Sequence, residues 1–493
     1  VTRLRKINST FFFFAWGLVS IGDASADTGS LIGAGTQTLG NQALANGTAQ
    51  SSQGTVSSYG VDVGVGESDN ITLATSNKIS QTIATADADF SLKQQSGLYD
   101  DNIKGQFGYF DYLQHAYNSQ LVGRFDGTGD FALIPQRLIW TVRDDFGEAS
   151  LDPFAAQTPA NQEYINSFST GPELDFRPGG ATFAKLIARY ERAQYQTSPF
   201  NSNRFLGSFE FGVPLSPRST VALNVNTERT LFENTLVNTD FDLSSAYASY
   251  QLHGSRTDLS GKLGVTRVDQ QGVTSSGSLV DLELDRRVSR ATTVSFSAGR
   301  DLTDALAGFS NLQSGAIGGI GTAQAAVTSG VYTLSYAQLA SRFARERTTF
   351  NVSARWSRDQ YATGVPVQVI GLTQASTTAT NGSALDSSTR GGEFSFEERL
   401  TRVLSAQLLG SYYDLEYPYA NFSINAGATR YQDSRLGGGL IFRPGHALDI
   451  RLRYQHLDRV VAGVGSGTGY RDNVVFLTVG YRPRLANDAA ATP

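Results

Sequence analysis

From about residue 55 onward this chain alternates apolar and polar side chains with a period of two, segment after segment. In residues 446–457, Leu448, Ile450, Leu452 and Tyr454 alternate with Asp449, Arg451, Arg453 and Gln455. Residues 348–356 set Phe350, Val352, Ala354 and Trp356 against Asn351, Ser353 and Arg355. Residues 280–288 set Val280, Leu282, Leu284 and Val288 against Asp281, Glu283, Asp285 and Arg287. Segments 220–228 and 292–298 repeat the design. Successive side chains of a strand point to opposite faces, so each segment carries one apolar and one wet face.

Segment lengths separate a soluble sandwich from a barrel. The expected strands run about 11–14 residues, against a mode near 5–6 in globular sheets. A tilted membrane-crossing strand needs about 9–11 residues. The connections alternate in length. Those at 177–180, 214–219, 255–258, 289–291, 343–347, 402–404 and 443–446 are short; those at 150–162, 230–240, 302–324, 362–390, 417–429 and 460–470 are long. Outer-membrane barrels have tight periplasmic turns and long outer loops. Aromatic residues gather near expected strand ends, at Phe107, Tyr109, Phe110 and Tyr112 and again at Tyr412, Tyr413, Tyr417 and Tyr419, which predicts interfacial girdles. Past residue 26 no apolar run approaches the ~18 residues of a membrane helix. A chain without such helices spans a bilayer only as a closed barrel. The expected fold is all-β: a transmembrane antiparallel up-and-down β-barrel of about 20 strands, or 18 without the first two, which are the least regular.

Residues 1–26 read as a secretory signal peptide. Arg3, Arg5 and Lys6 precede the apolar run at 11–21, and Ala24, Ser25 and Ala26 form a small-residue cleavage site. Val1 reads as a non-ATG start. Residues 27–54, rich in Gly, Ala, Ser, Thr, Asn and Gln, read as a flexible periplasmic arm. The barrel is expected over 55–483 as one domain, with a polar C-terminal tail at 484–493. Tyr481 then stands as the closing aromatic from an internal position. This order places the chain in the outer membrane of a Gram-negative bacterium, with outer-membrane lipid as its first partner.

Composition narrows the chemistry. Zero Cys excludes a disulfide framework, a Cys-ligated zinc and an iron–sulfur cluster. An excess of acid, 45 Asp+Glu against 40 Lys+Arg, leaves no footprint for nucleic acid. The four histidines, His115, His253, His446 and His456, show no metal-ligand spacing, so neither metal nor cofactor is expected. No Gly-x-Ser-x-Gly elbow is present, and enzyme activity is not expected. The glycine-rich runs at 315–321 and 463–469 fall in expected outer loops, and the first is apolar enough to fold inward. The inner faces are expected to carry both signs. The expected lumen lining is Asp281, Glu283, Asp285, Arg287, Arg355, Asp449, Arg451 and Arg453. Glu393, Glu397, Lys185, Arg189 and Arg399 share the same parity rule. Such charges pair across neighbouring strands or line a selective pore. Mixed signs favour a polar or sugar-like solute over a single ion.

Two stretches carry a resemblance. One is residues 99–117, YDDNIKGQFGYFDYLQHAY; the other is residues 141–179, with Asp145, Phe146, Gly147, Pro153, Thr158, Pro159, Asn161, Asn166, Thr170, Gly171 and Pro172. Together they resemble outer-membrane β-barrel proteins associated with exosortase (PEP-CTERM) systems, of the β-barrel porin type found beside exopolysaccharide genes. The resemblance implies an outer-membrane barrel and a link to polysaccharide export or surface assembly, with periplasmic export proteins or polysaccharide as partners. It supplies no catalytic or ligand residues. The same loop has a local reading, since Pro153 and Pro159 stiffen a connection that cannot pair as strand.

The sequence therefore predicts a porin-like conduit for a polar solute. The alternatives are a non-conducting barrel that sheathes or anchors partner proteins, an adhesin acting through its outer loops, and a secreted β-solenoid or sandwich.

Overall fold

The computed structural model describes residues 54–483, apart from 152–155, 157, 237, 271, 305, 308–329, 362–366, 371–375, 380–385, 418–429, 446 and 463–468. The expected signal peptide, most of the arm, the tail at 484–493, His446 and both glycine-rich runs lie outside the described residues, apart from Gly469.

The strands are β1 (Gly54–Ser68), β2 (Gln81–Gln95), β3 (Tyr99–Tyr112), β4 (Gln120–Ile134), β5 (Leu138–Ser150), β6 (Gln162–Gly179), β7 (Thr182–Tyr195), β8 (Ser202–Ser216), β9 (Ser219–Phe232), β10 (Phe241–His253) and β11 (Thr257–Gln270). They continue as β12 (Val273–Arg287), β13 (Thr292–Asp304), β14 (Val331–Ala344), β15 (Thr348–Tyr361), β16 (Val367–Ile370), β17 (Ser376–Ala379), β18 (Ser387–Arg399), β19 (Leu404–Glu416), β20 (Arg430–Phe442), β21 (Leu448–Ala462) and β22 (Tyr470–Tyr481). Each barrel strand pairs antiparallel with the next, β15 pairs with β18, and β22 returns to β1, which closes a 20-stranded sheet. The short β16–β17 hairpin stands apart in the connection between β15 and β18. The first two strands form, so the count is twenty.

Connections at one end are tight, as at 96–98, 180–181 and 217–218, while those at the other end include 69–80, 151–161, 305–330 and 362–386. One connection at the long end, 271–272, is as tight as the short ones, and Gly272 supplies the φ of +77° that this turn needs. The segment 141–179 is mostly strand: β5 and β6 take nearly all of it, and the connection between them is 151–161, as the expected 150–162 loop predicts.

The two faces of the wall differ in kind. Leu223, Val225, Leu263, Val265, Val280, Leu282, Leu452, Leu477 and Val479 lie on the outer face, with Leu263 68% exposed. A ring of large apolar side chains in water is untenable, so this wall faces lipid. The expected girdle is corrected in part. Tyr109 and Tyr412 do face outward, each 48% exposed, but Phe110, Tyr112, Tyr413 and Tyr417 are buried on the inside. The cause is parity: Phe110 and Tyr112 alternate with Tyr109, and adjacent strand residues cannot share a face. Tyr419 lies outside the described residues.

Ring closure runs from Val61↔Tyr481 to Ser68↔Val474. Just inside it, Arg482 binds Asp62, reaches Asp89 at 3.2 Å and reaches Asp449 at 3.2 Å. Arg451 binds Asp449 at 2.5 Å and approaches Asp62 at 3.8 Å. Gly480 sits in the middle of this network. A Cβ there would fall inside van der Waals distance of the Asp62 and Asp449 carboxylates and 2.6 Å from Arg482 Nη1. Gly480→Leu is therefore expected to prevent closure. On a gel run without boiling, the parent migrates as a compact folded band and the variant as unfolded chain; an unchanged folded band would contradict this description of the seam.

Candidate solute pathway

A 20-strand ring is too wide for side chains alone to fill. The inner face is therefore the surface a solute would meet, and it changes character from end to end.

In the middle of the wall, Asp281 accepts a hydrogen bond from the Tyr336 hydroxyl at 2.8 Å and lies 3.4 Å from Lys262 Nζ. Glu283 accepts from Ser260 at 3.1 Å, and Asp285 accepts from Ser295. All three carboxylates alternate with the outward-facing Val280 and Leu282. Arg355 is buried opposite the exposed Trp356, with Asp359 and Glu393 as electrostatic neighbours. Glu393 itself accepts from Ser353 at 3.0 Å and from Tyr413 at 3.2 Å. Asp449, Arg451 and Arg453 alternate with Leu448, Leu452 and Tyr454 on β21, and the first two belong to the closure network. Arg287 is exposed at the last position of β12, on the rim of the short-turn end. These residues do not converge on one point. Some pair across neighbouring strands and some within one strand, and together they make a polar wall with both signs of charge.

At the long-loop end the inner face carries buried apolar clusters, a feature the sequence reading missed. Ile83, Phe110, Tyr112, Val122, Val474 and Phe476 form one buried cluster; Tyr413, Leu415, Tyr417 and Tyr431 form another. A third joins Ile165, Phe200, Phe232, Phe241, Val268 and Leu302. Together they make a collar inside the mouth. Among its charged groups, the Arg459 guanidinium stands 5.4 Å from the Tyr431 ring centre and 5.3 Å from that of Tyr470, and donates to Asp433 at 2.6 and 2.7 Å. Cations over aromatic faces attract through the ring quadrupole. The signal in the sequence was the parity of these aromatics, opposite to the outward apolar row.

The collar is pinned across non-adjacent strands. Arg204 on β8 donates to Asp304 at the end of β13 at 3.0 and 2.9 Å, and to Glu228 on β9 at 3.0 Å. All three side chains are buried or nearly so, at 6%, 8% and 16% exposure. Removing one partner of a buried pair strands the other charge. Arg204→Met is expected to lower stability by roughly 3–5 kcal/mol, read as a shift in the urea midpoint in detergent; a midpoint within error of the parent would show that the pair is not buried.

The fold and its two faces define a membrane-spanning β-barrel of the outer-membrane kind with a polar inner wall. No family model and no curated protein matches the chain. Solved structures of barrels do. A ferric enterobactin receptor (PfeA) variant from Pseudomonas aeruginosa is 11% identical, with 88% of this chain and 81% of that one covered and a TM-score of 0.45. The FrpB iron transporter from Neisseria meningitidis is 11% identical over 86% and 82%, with a TM-score of 0.44. The siderophore receptor PirA from Pseudomonas aeruginosa is 12% identical over 86% and 80%, with a TM-score of 0.42. Likeness at this level carries no substrate across to this chain.

The inner wall is directly testable because the chain has no Cys of its own. With the protein in lipid, Glu283→Cys is expected to react with a water-soluble maleimide and Leu282→Cys to resist it. Equal labelling of the two would contradict the facing described here.

Proposed function

We propose that this protein is a passive outer-membrane conduit for a polar, sugar-like solute, residing in the outer membrane of a Gram-negative bacterium. The observation that carries the reading is the pairing of a mixed-charge inner wall with an aromatic collar. Sugars present hydroxyl edges and apolar ring faces. The edges suit donors and acceptors such as Glu283 and Asp281; the faces suit the partly exposed Tyr470 ring, which the buried Arg459 backs. Mixed signs along the wall disfavour strong selection for one ion. A surface polysaccharide or its building blocks is the preferred client, on the strength of the resemblance in residues 99–117 and 141–179, with periplasmic export proteins as partners. No chemical step is required of the chain.

Proteoliposomes carrying the refolded barrel are expected to swell in isotonic solutions of mono- and disaccharides faster than empty liposomes. Tyr470→Ala is expected to lower sugar uptake relative to salt uptake. Absence of swelling would overturn the conduit, and an unchanged ratio would remove the collar from the pathway.

A further inference from the structure

The wall is not continuous at every height. β12 and β13 pair only from Val280↔Arg300 to Arg287↔Thr293. Above that level residues 273–279 pair with β11 alone, and residues 301–304 pair with β14 alone. The split is built into the local chemistry. The Leu302 amide has no β12 partner, and it donates instead to Asp301 Oδ1 at 2.7 Å. Thr266, two strands away on β11, donates to the same oxygen at 2.7 Å. A carboxylate thus caps the strand edge that β12 abandons.

Beyond the split, β13 and β14 pass inside the ring. Their register is unbroken, so Leu302 and Val331 keep the parity of the outward Leu339. Yet Leu302 is 5% and Val331 4% exposed, against 52% for Leu339. They pack instead with Phe232, Phe241 and Val268, which lie on the inner face of β9, β10 and β11. The Arg204–Asp304 pair anchors this inward fold. Between the displaced β13–β15 ends and the upper hairpin of β11 and β12 lies a cavity of ≈ 400 Å³. Val268, Leu302 and Val331 give it an apolar floor, and Gln270, Thr333 and Gln360 line it with polar groups.

The height of the split matters. Outward residues of β12 change from Leu284, Leu282 and Val280 to Ser278, Ser276 and Thr274 at the level where pairing stops. Such a change fits the boundary between hydrocarbon and headgroups, where backbone no longer needs a strand partner. We infer that the break between β12 and β13 is a lateral portal, and that the cavity behind it binds a single-chain amphiphile drawn from the surrounding leaflet. The chain would displace water from Val268, Leu302 and Val331, and the head would bond Gln270 and Gln360. This site shares Val268 and Leu302 with the third collar cluster, lies behind it, and goes beyond the conduit reading.

The test uses the barrel in phospholipid nanodiscs with a diazirine-bearing fatty acid, irradiated and mapped by peptide mass spectrometry. Label is expected to concentrate on residues 268–275 and 331–333. Continuing the β12–β13 register would set Gly277 opposite Thr303, and a Cβ on Gly277 meets nothing within 4 Å. Gly277→Cys with Thr303→Cys, oxidised, should close the portal and remove that label; reduction should restore it. Thr333→Phe, which fills the cavity without any disulfide, should remove it as well. Label spread evenly over the outward faces of all strands would overturn the proposal. So would cavity labelling that persists both in the cross-linked protein and in Thr333→Phe.

Discussion

Everything in this protein follows from the need to pair backbone groups in a medium that offers none of its own. A strand edge exposed to hydrocarbon leaves N–H and C=O groups unsatisfied at several kcal/mol each, so the sheet must close on itself. The closing pair, β1 with β22, joins segments about four hundred residues apart in sequence, and loop closure over such a length is slow to find. The seam carries more than a ladder. Arg451 and Arg482 knit Asp62, Asp89 and Asp449 from β1, β2 and β21 behind it. Gly480 leaves the room for those groups to meet. The ionic network identifies the correct partner edge, which a uniform apolar and polar alternation does not do by itself.

Closure fixes the division of labour between faces. Outward residues must be apolar at the height of the lipid, which frees the inward set to vary with depth. At mid-height that set is charged and hydrogen-bonded. At the mouth it includes buried aromatic and apolar clusters. The break in the β12–β13 ladder falls where the outward face of β12 turns to serine and threonine; another, between β4 and β5, begins beyond Phe125↔Phe146.

Much of this was legible in the sequence. Strand positions were readable because a period of two over a dozen residues is rare by accident, and the alternation of Val280, Leu282 and Leu284 with Asp281, Glu283 and Asp285 set the facing directly. The collar was partly legible: Phe110 and Tyr112 have the parity of the lumen, and treating every terminal aromatic as interfacial ignored that. The Arg482–Asp62 contact was not legible, because nothing local links residues 420 positions apart. Nor was the inward fold of β13 and β14. Leu302 and Val331 continue the outward parity without a bulge, so only the three-dimensional path reveals that their outward face meets the inner wall of β9–β11.

The central claim is that this ring encloses a water-filled path along its axis. The most direct measurement is single-channel recording of the refolded barrel, residues 27–493, in a planar bilayer. The account predicts stable, stepwise conductance increments that scale with salt concentration. A barrel that is folded by gel mobility yet electrically silent would contradict it and would favour a scaffold whose lumen is filled by its partners.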